Sequence, residues 1–208
     1  YANVGINSSP ELVTWGKLKP KLLSETIPTI KEVNVETAAI QYVYYVRAKT
    51  SSGNETFLVK EFYRVRYSGS RLYLLNFRRT MEAVFNPKLT SVRKSQFKIG
   101  VSNESNFQLT LNDKANELAF VRNGSLWYYD MDKDNLHEVF SFAQKKTDYL
   151  RDTYDQHNIK ILNFDDNNTI NFVVYGYMNC GDYEGRVAVI LYNYDPAKNL
   201  ITERVYIP

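Results

Sequence analysis

The stretch DMDKDN places Asp130, Asp132 and Asp134 at alternate positions. Hard oxygen ligands at that spacing open many calcium loops. Such a loop would next want Gly where Asn135 stands and a bidentate Glu where Ser141 stands. The pattern fails at its strongest ligand. In a hairpin, the same Asp and Asn residues are simply good turn formers. No metal site is expected.

Acid–base chemistry has few candidates. The chain holds two histidines, His137 and His157. YDQHNIKI sets Asp155 near His157, with Asp148 and Asp152 upstream. Asp152, Asp155 and His157 read better as a structural polar network tying a loop to a strand than as an acid–base pair. There is no G-x-S-x-G elbow, no H-E-x-x-H and no glycine-rich phosphate loop. The serines of YSGS and GVSNES have no nucleophile context. Cys180, the only cysteine, permits no intrachain disulfide and has no local base or cation to activate it. No catalytic residue and no cofactor are expected.

A binding surface has more support. FYRVRYSGSRLYLLNFRR interleaves Arg64, Arg66, Arg71 and Arg78 with aromatic residues, and SLWYYD adds Trp127 and Tyr128. Such a strand can stack on and neutralise an anionic chain, whether single-stranded nucleic acid or an acidic cell-wall polymer. The plainer reading is a solvated sheet face whose long stems cover apolar surface. No RNP-like motif favours specific nucleic-acid recognition. Charge is divided along the chain. Residues 1–100 carry 16 Lys/Arg against 7 Asp/Glu, and residues 101–208 carry 10 against 16. That asymmetry fits a polyanion-binding face, or two surfaces that attract each other or a neighbour.

These residues must be positioned by strands. The chain has 17 Tyr and 11 Phe among 208 residues, and aromatic residues favour a pleated, half-buried surface. Residues 1–37 contain Pro10, Pro20 and Pro28, which rule out long regular elements. This irregular segment is expected to pack on the sheets. Residues 38–100 read as a meander of long strands. AAIQYVYYVRAKT, ETFLVKEFYRVRY and RLYLLNF are separated by the turns SSGN and SGS. Phe57, Val59, Glu61, Tyr63 and Val65 share one face of the second strand. RRTMEAVFNP then has Met81, Val84 and Phe85 at helical spacing, which predicts one or two helical turns before Pro87. SQFKIGVS is a short strand candidate, and residues 143–158 read as a loop with a helical turn. No apolar run approaches the ~20 residues that span a bilayer. The first residues have no initiator Met, basic n-region or apolar core, so the chain is expected to be processed or cut from a longer protein.

Residues 101–208 read as a repeat. NELAFV, the Asn123-Gly124 turn, SLWYYDM, the turn DKDN and LHEVFSF form one unit. TINFVVYGYM, a long excursion through Gly176 and Gly181, RVAVILYNY, the turn DPAKN and LITERVYI form the next. In this alignment Asp132 matches Asp195, and Asn135-Leu136 matches Asn199-Leu200 after a one-residue gap. The spacing is about 60 residues, which suits stacked supersecondary units.

Leu118-Ala119-Phe120-Val121, Leu126-Trp127-Tyr128-Tyr129-Asp130 and Leu136 resemble a blade of the TolB-type and dipeptidyl-peptidase-type β-propellers. The resemblance covers about 30 residues well, the second unit more loosely, and implies propeller-like packing. EFYRVRYSGSRLYLLNFRRTME and YDQHNIKILNFDDNNTINFVVYGYMNCGDYEGRVAV resemble extracytoplasmic parts of large uncharacterised membrane proteins of Gram-positive gut bacteria. The expected fold is therefore all-β, of antiparallel meanders with little helix, propeller-like over 101–208 and incomplete as a propeller. The expected function is a non-catalytic binding or sensing domain of an exported or membrane-anchored protein. Its partners would be other domains of the same polypeptide, or a surface protein or glycan. Membrane association would come only through the parent protein. The alternatives are a glycan- or peptide-processing enzyme domain and a polyanion-binding module.

Overall fold

The computed structural model describes residues 3–23, 25–51, 53–85, 99, 107–142, 154 and 156–208. They fall into two compact units, one within residues 3–84 with Ile99 and one of Phe85 with those within residues 107–208. Asp148, Asp152, Asp155 and the SQFKIGVS strand candidate lie outside the described residues, apart from Ile99.

The first unit is one antiparallel sheet. Strands β1 (Asn3–Gly5), β2 (Lys21–Leu22), β3 (Pro28–Val33), β4 (Thr37–Thr50), β5 (Gly53–Ser68) and β6 (Arg71–Ala83) run in the order β1-β6-β5-β4-β2, with β3 also on β4. The expected meander is β4–β5–β6. The N-terminal segment adds short strands at its edges and one helical turn, α1 (Pro10–Val13). Ser9 caps that turn by accepting from the Leu12 amide, and Pro10 takes the first turn, where a missing donor costs nothing. Pairing fixes which side chains share a face. Tyr44 opposes Val59, Tyr42 opposes Glu61, and Glu61 opposes Arg79. Tyr44, Val46, Ala48, Val59 and Met81 form the core on this face, with Trp15, Leu18, Tyr42 and Phe57 packed against it.

The helical turns expected over RRTMEAVFNP are not formed in its described part, Arg78 to Phe85. β6 runs on through Ala83, because Phe77, Arg79, Met81 and Ala83 are all buried with the period of a strand. Arg79 interrupts the apolar set and disguises that alternation.

The second unit holds two four-stranded meanders. One runs β10 (Asn135–Ser141), β9 (Ser125–Asp130), β8 (Glu117–Arg122), β7 (Leu109–Leu111). The other runs β11 (His157–Phe164), β12 (Ile170–Tyr177), β13 (Val187–Asp195), β14 (Leu200–Ile207). They share a core in which Leu126, Ala119 and Phe142 meet Ile170, Phe172, Val174 and Ile190. Of these, each fully buried Leu, Ile, Val or Phe side chain contributes ~1.5–3 kcal/mol. A single amide also joins the sheets: Gln108 donates from Nε2 to Ile159 O (2.8 Å) and accepts at Oε1 from Ile161 N (2.9 Å). The β8–β9 turn has positive φ at both Asn123 (50°) and Gly124 (74°), as a tight hairpin requires.

The β9–β10 and β13–β14 turns share side-chain roles, but not in the alignment made on sequence. Asp130 accepts from the amides of Asp132 and Lys133 and from Lys133 Nζ. Asp195 accepts from the amides of Ala197 and Lys198 and from Lys198 Nζ. Tyr129 donates to Asp134 (2.8 Å) and Tyr194 to Asn199 (3.0 Å), and both acceptors have positive φ. Asp130, not Asp132, is thus the counterpart of Asp195, and the two turns match without a gap. The Asn-Leu pair that set the earlier alignment lies at the strand start in one copy and straddles the turn in the other.

Candidate functional site

A cleft of about 700 Å³ lies in the first unit. Its floor is the core face of β4 and β5, with Ile40, Tyr42, Tyr44, Glu61, Tyr63 and Val65. Its wall is the segment after α1, with Trp15, Lys19, Pro20, Leu22 and Thr26. Trp15 has φ of 67° and Lys19 of 42°. A bulky residue in the left-handed region is strained, and such strain gathers at functional sites.

Arg79 holds that wall. Its side chain is 2% exposed, and its guanidinium carbon lies 3.6 Å from the centre of the Trp15 ring. Its Nη2 donates to Leu12 O (2.6 Å) and its Nη1 to Val13 O (3.0 Å). The same Nη1 stands 3.5 Å from Glu61 Oε1. Tyr63 donates to Glu61 Oε2 (2.9 Å). One guanidinium therefore ties the N-terminal loop, the indole and the floor carboxylate together. Burial, then the Glu61 carboxylate, push the hydroxyls of Tyr44 and Tyr63 well above the ordinary tyrosine range. Both stay protonated and serve as hydrogen-bond donors, not bases.

Glu61 carried a signal in the sequence. It sits among Phe57, Val59, Tyr63 and Val65 on one strand face, where a carboxylate demands a partner. Its partner Arg79 was hidden by the helical reading of that segment, and Trp15 had no motif to single it out.

The four arginines proposed for binding lie on the other face of this sheet. Arg64 opposes Asn76, Arg66 opposes Tyr73, Arg78 opposes Phe62 and Arg71 opposes Ser68. The bulge between Arg64 and Val65 keeps all four on one side, with Arg47 and Lys60. Glu32 and Glu82 are the acids of that side. Arg64 pairs with Glu32 at 3.0 Å, and Arg66 lies over the Tyr73 ring at 5.5 Å.

Trp127 and Tyr128, in the second unit, do not share a face. They are neighbours on β9, so they point to opposite faces. Trp127 is half-buried and packs edge-on against Phe85, 4.9 Å between ring centres. Tyr128 is buried and donates to Glu117 Oε2 (2.6 Å). His157 packs edge-on against Phe142 at 4.7 Å.

A smaller polar pocket of about 190 Å³ lies in the second unit, between the repeated turns. It brings Glu117, Asp130 and Asp195 to one place, with Lys133, His137 and Asn168. Each acid is already engaged. Asn168 shares Glu117 Oε2 with Tyr128. Burial pushes the Asp130 carboxyl up, but the Lys133 ammonium and two backbone amides outweigh it and hold the carboxyl below the usual range. Lys198 does the same for Asp195. Burial lowers the pKa of His137, which meets Tyr194 Oη at 2.5 Å. The aspartates that suggested a calcium loop take separate partners. Asp130 caps its turn, Asp132 accepts from Asn116 (2.6 Å) and Asp134 from Tyr129 (2.8 Å). No cluster of three or more His, Cys, Asp or Glu among the described residues is arranged to hold a metal ion.

Comparison of the chain with protein-family models, with curated proteins and with solved structures finds no significant match.

Proposed function

We propose that this chain is a non-catalytic binding or sensing domain, with the cleft under Trp15 as its ligand seat. One observation carries the reading: the cleft is aromatic, and its single carboxylate is committed to Arg79 and Tyr63. A hydrolytic site on a glycan needs two carboxyl groups in different protonation states, one with a raised pKa. Glu61 has no carboxylate partner among the residues lining the cleft. In the polar pocket of the second unit, both aspartates are shifted in the opposite direction from a general acid. The enzyme alternative is the weaker one for these reasons.

The setting we propose is a surface or membrane-anchored bacterial protein. The two meanders would be neighbouring blades of a propeller completed by further parts of that protein. Their shared turn chemistry and common core support this. A fragment screen by two-dimensional NMR on the whole chain tests the ligand seat. Hits should perturb Trp15, Tyr42 and Tyr63 together. A screen whose hits all map away from these residues would sink the proposal.

A second reading has its own support, because the arginines share one sheet face. A polyanion-binding module would retain heparin, and binding would weaken steeply with salt as counterions are released. Salt-independent retention, or none at 50 mM salt, removes this reading.

A further inference from the structure

We infer that the cleft under Trp15 takes a short neutral oligosaccharide. The inference rests on the reading of this cleft as a ligand seat and adds the class of ligand. Charge narrows the choice first. An anion would meet Glu61 on the floor. A cation would meet the Lys19 ammonium on the wall. The lining thus carries one charge of each sign, and a neutral ligand is the one that neither repels.

Polarity narrows it further. A wholly apolar ligand would cut the Glu61 carboxylate and the Thr26 hydroxyl off from water without replacing their hydrogen bonds, which is unfavourable. A carboxylate offers about four acceptor positions. Tyr63 and Tyr44 take two and the Arg79 guanidinium approaches a third, which leaves one for a ligand hydroxyl. The remaining lining is aromatic and aliphatic: Trp15, Tyr42, Tyr44, Ile40 and Val65. Pyranose rings combine an apolar C–H face with a rim of hydroxyls, and rigid aromatic rings with polar tips match both parts. The volume lies within the roughly 300–1,000 Å³ of small-molecule sites, large enough for more than one ring. The left-handed backbone at Trp15 supplies the second sign of a working wall, because it holds the indole over the floor at a conformational cost.

The test uses the 208-residue chain with Trp127→Phe, which leaves Trp15 as the only tryptophan. Chitotetraose, cellotetraose and maltotetraose are titrated while Trp15 emission is recorded, with choline and hexanoate as cationic and apolar controls. At least one saccharide should shift the emission saturably, and Tyr42→Ala should weaken that binding at least tenfold. Saturation-transfer NMR on the unmodified chain reads the same contact without a variant, and circular dichroism checks that Tyr42→Ala folds. Silence with all three saccharides by both methods overturns the inference. So does saccharide binding that a folded Tyr42→Ala leaves unchanged. Saturable binding of choline or hexanoate alone overturns the saccharide class and leaves the ligand seat standing. The seat itself fails only on the fragment screen.

Discussion

Replacing Arg79 by Met keeps the volume of the side chain and removes its charge. The loss can be worked from the contacts. The carbonyls of Leu12 and Val13 lose charged donors at 2.6 and 3.0 Å. Hydrogen bonds of that kind contribute ~1.5–3 kcal/mol each. Glu61, only 13% exposed, loses its cation, and breaking a buried pair from one side costs ~3–5 kcal/mol. One guanidinium makes all these contacts, so the terms overlap and do not add. We expect Arg79→Met to lower unfolding stability by about 3–5 kcal/mol. Glu61→Gln leaves Arg79 its two carbonyls and should cost about 1–2 kcal/mol. The double variant should be less damaged than the sum by ~1–3 kcal/mol, because the stranded carboxylate is gone. Urea unfolding of the four proteins, followed by Trp15 emission in the Trp127→Phe background, measures the cycle. Additive losses, or an Arg79→Met variant within about 0.5 kcal/mol of its parent, would refute the view that this arginine holds the cleft wall.

Gly176 has φ of 110°, and a Cβ there would lie 2.3 Å from the carbonyl oxygen of Gln156. Gly176→Ala should therefore cost roughly 2–4 kcal/mol by urea titration, whereas Gly181→Ala meets open space and should cost only the backbone strain of ~1 kcal/mol. Gln108→Ala leaves the Ile159 carbonyl and the Ile161 amide without their side-chain partner between the sheets. A loss of about 1–3 kcal/mol is expected, read as a lower thermal midpoint. Asp130, Asp165 and Asp195 all have folded pKa values below the usual carboxylate range, set for Asp165 mainly by Thr169. Their contribution is fully present above the unfolded pKa of ~3.9 and lost as pH falls through the folded values. Urea midpoints between pH 7 and 2 should show this loss below about pH 4, and Asp130→Asn should flatten it.

The strands were legible because alternation is a local property. Val59, Glu61, Tyr63 and Val65 show it in the sequence, and β5 carries it in the structure. The Asn123-Gly124 turn was legible for a similar reason, since few residue pairs accept positive φ at both positions. The cleft was not legible. It depends on a segment without periodicity folding back over β4 and β5, and on contacts between Trp15 and Arg79, far apart in the chain. The likeness of the two turns was visible, but their alignment rested on residue identity. Asp130 and Asp195 match by the amides and the lysine they accept from, which identity alone does not rank above Asp132.

Arg78 and Arg79 are consecutive, yet they belong to opposite sides of the sheet and to different chemistry. Arg78 is exposed and opposes Phe62 on the basic face, while Arg79 is buried and opposes Glu61 under Trp15. Only the pairing of β6 with β5 decides which is which. A slip of one residue would move every side chain of β6 to the other face. Sequence charge does not oppose such a slip, because an arginine would still reach the cleft side. Apolar packing does, because Phe77 and Met81 would leave the core and Arg78 would arrive flanked by Asn76 and Thr80. The Glu61–Arg79 pair then adds direction to that preference: the two carbonyls of the N-terminal turn and the indole accept a guanidinium at only one height along β6. The apolar neighbours select the face and the ion pair selects the position, so the cleft and the basic face are two consequences of one register.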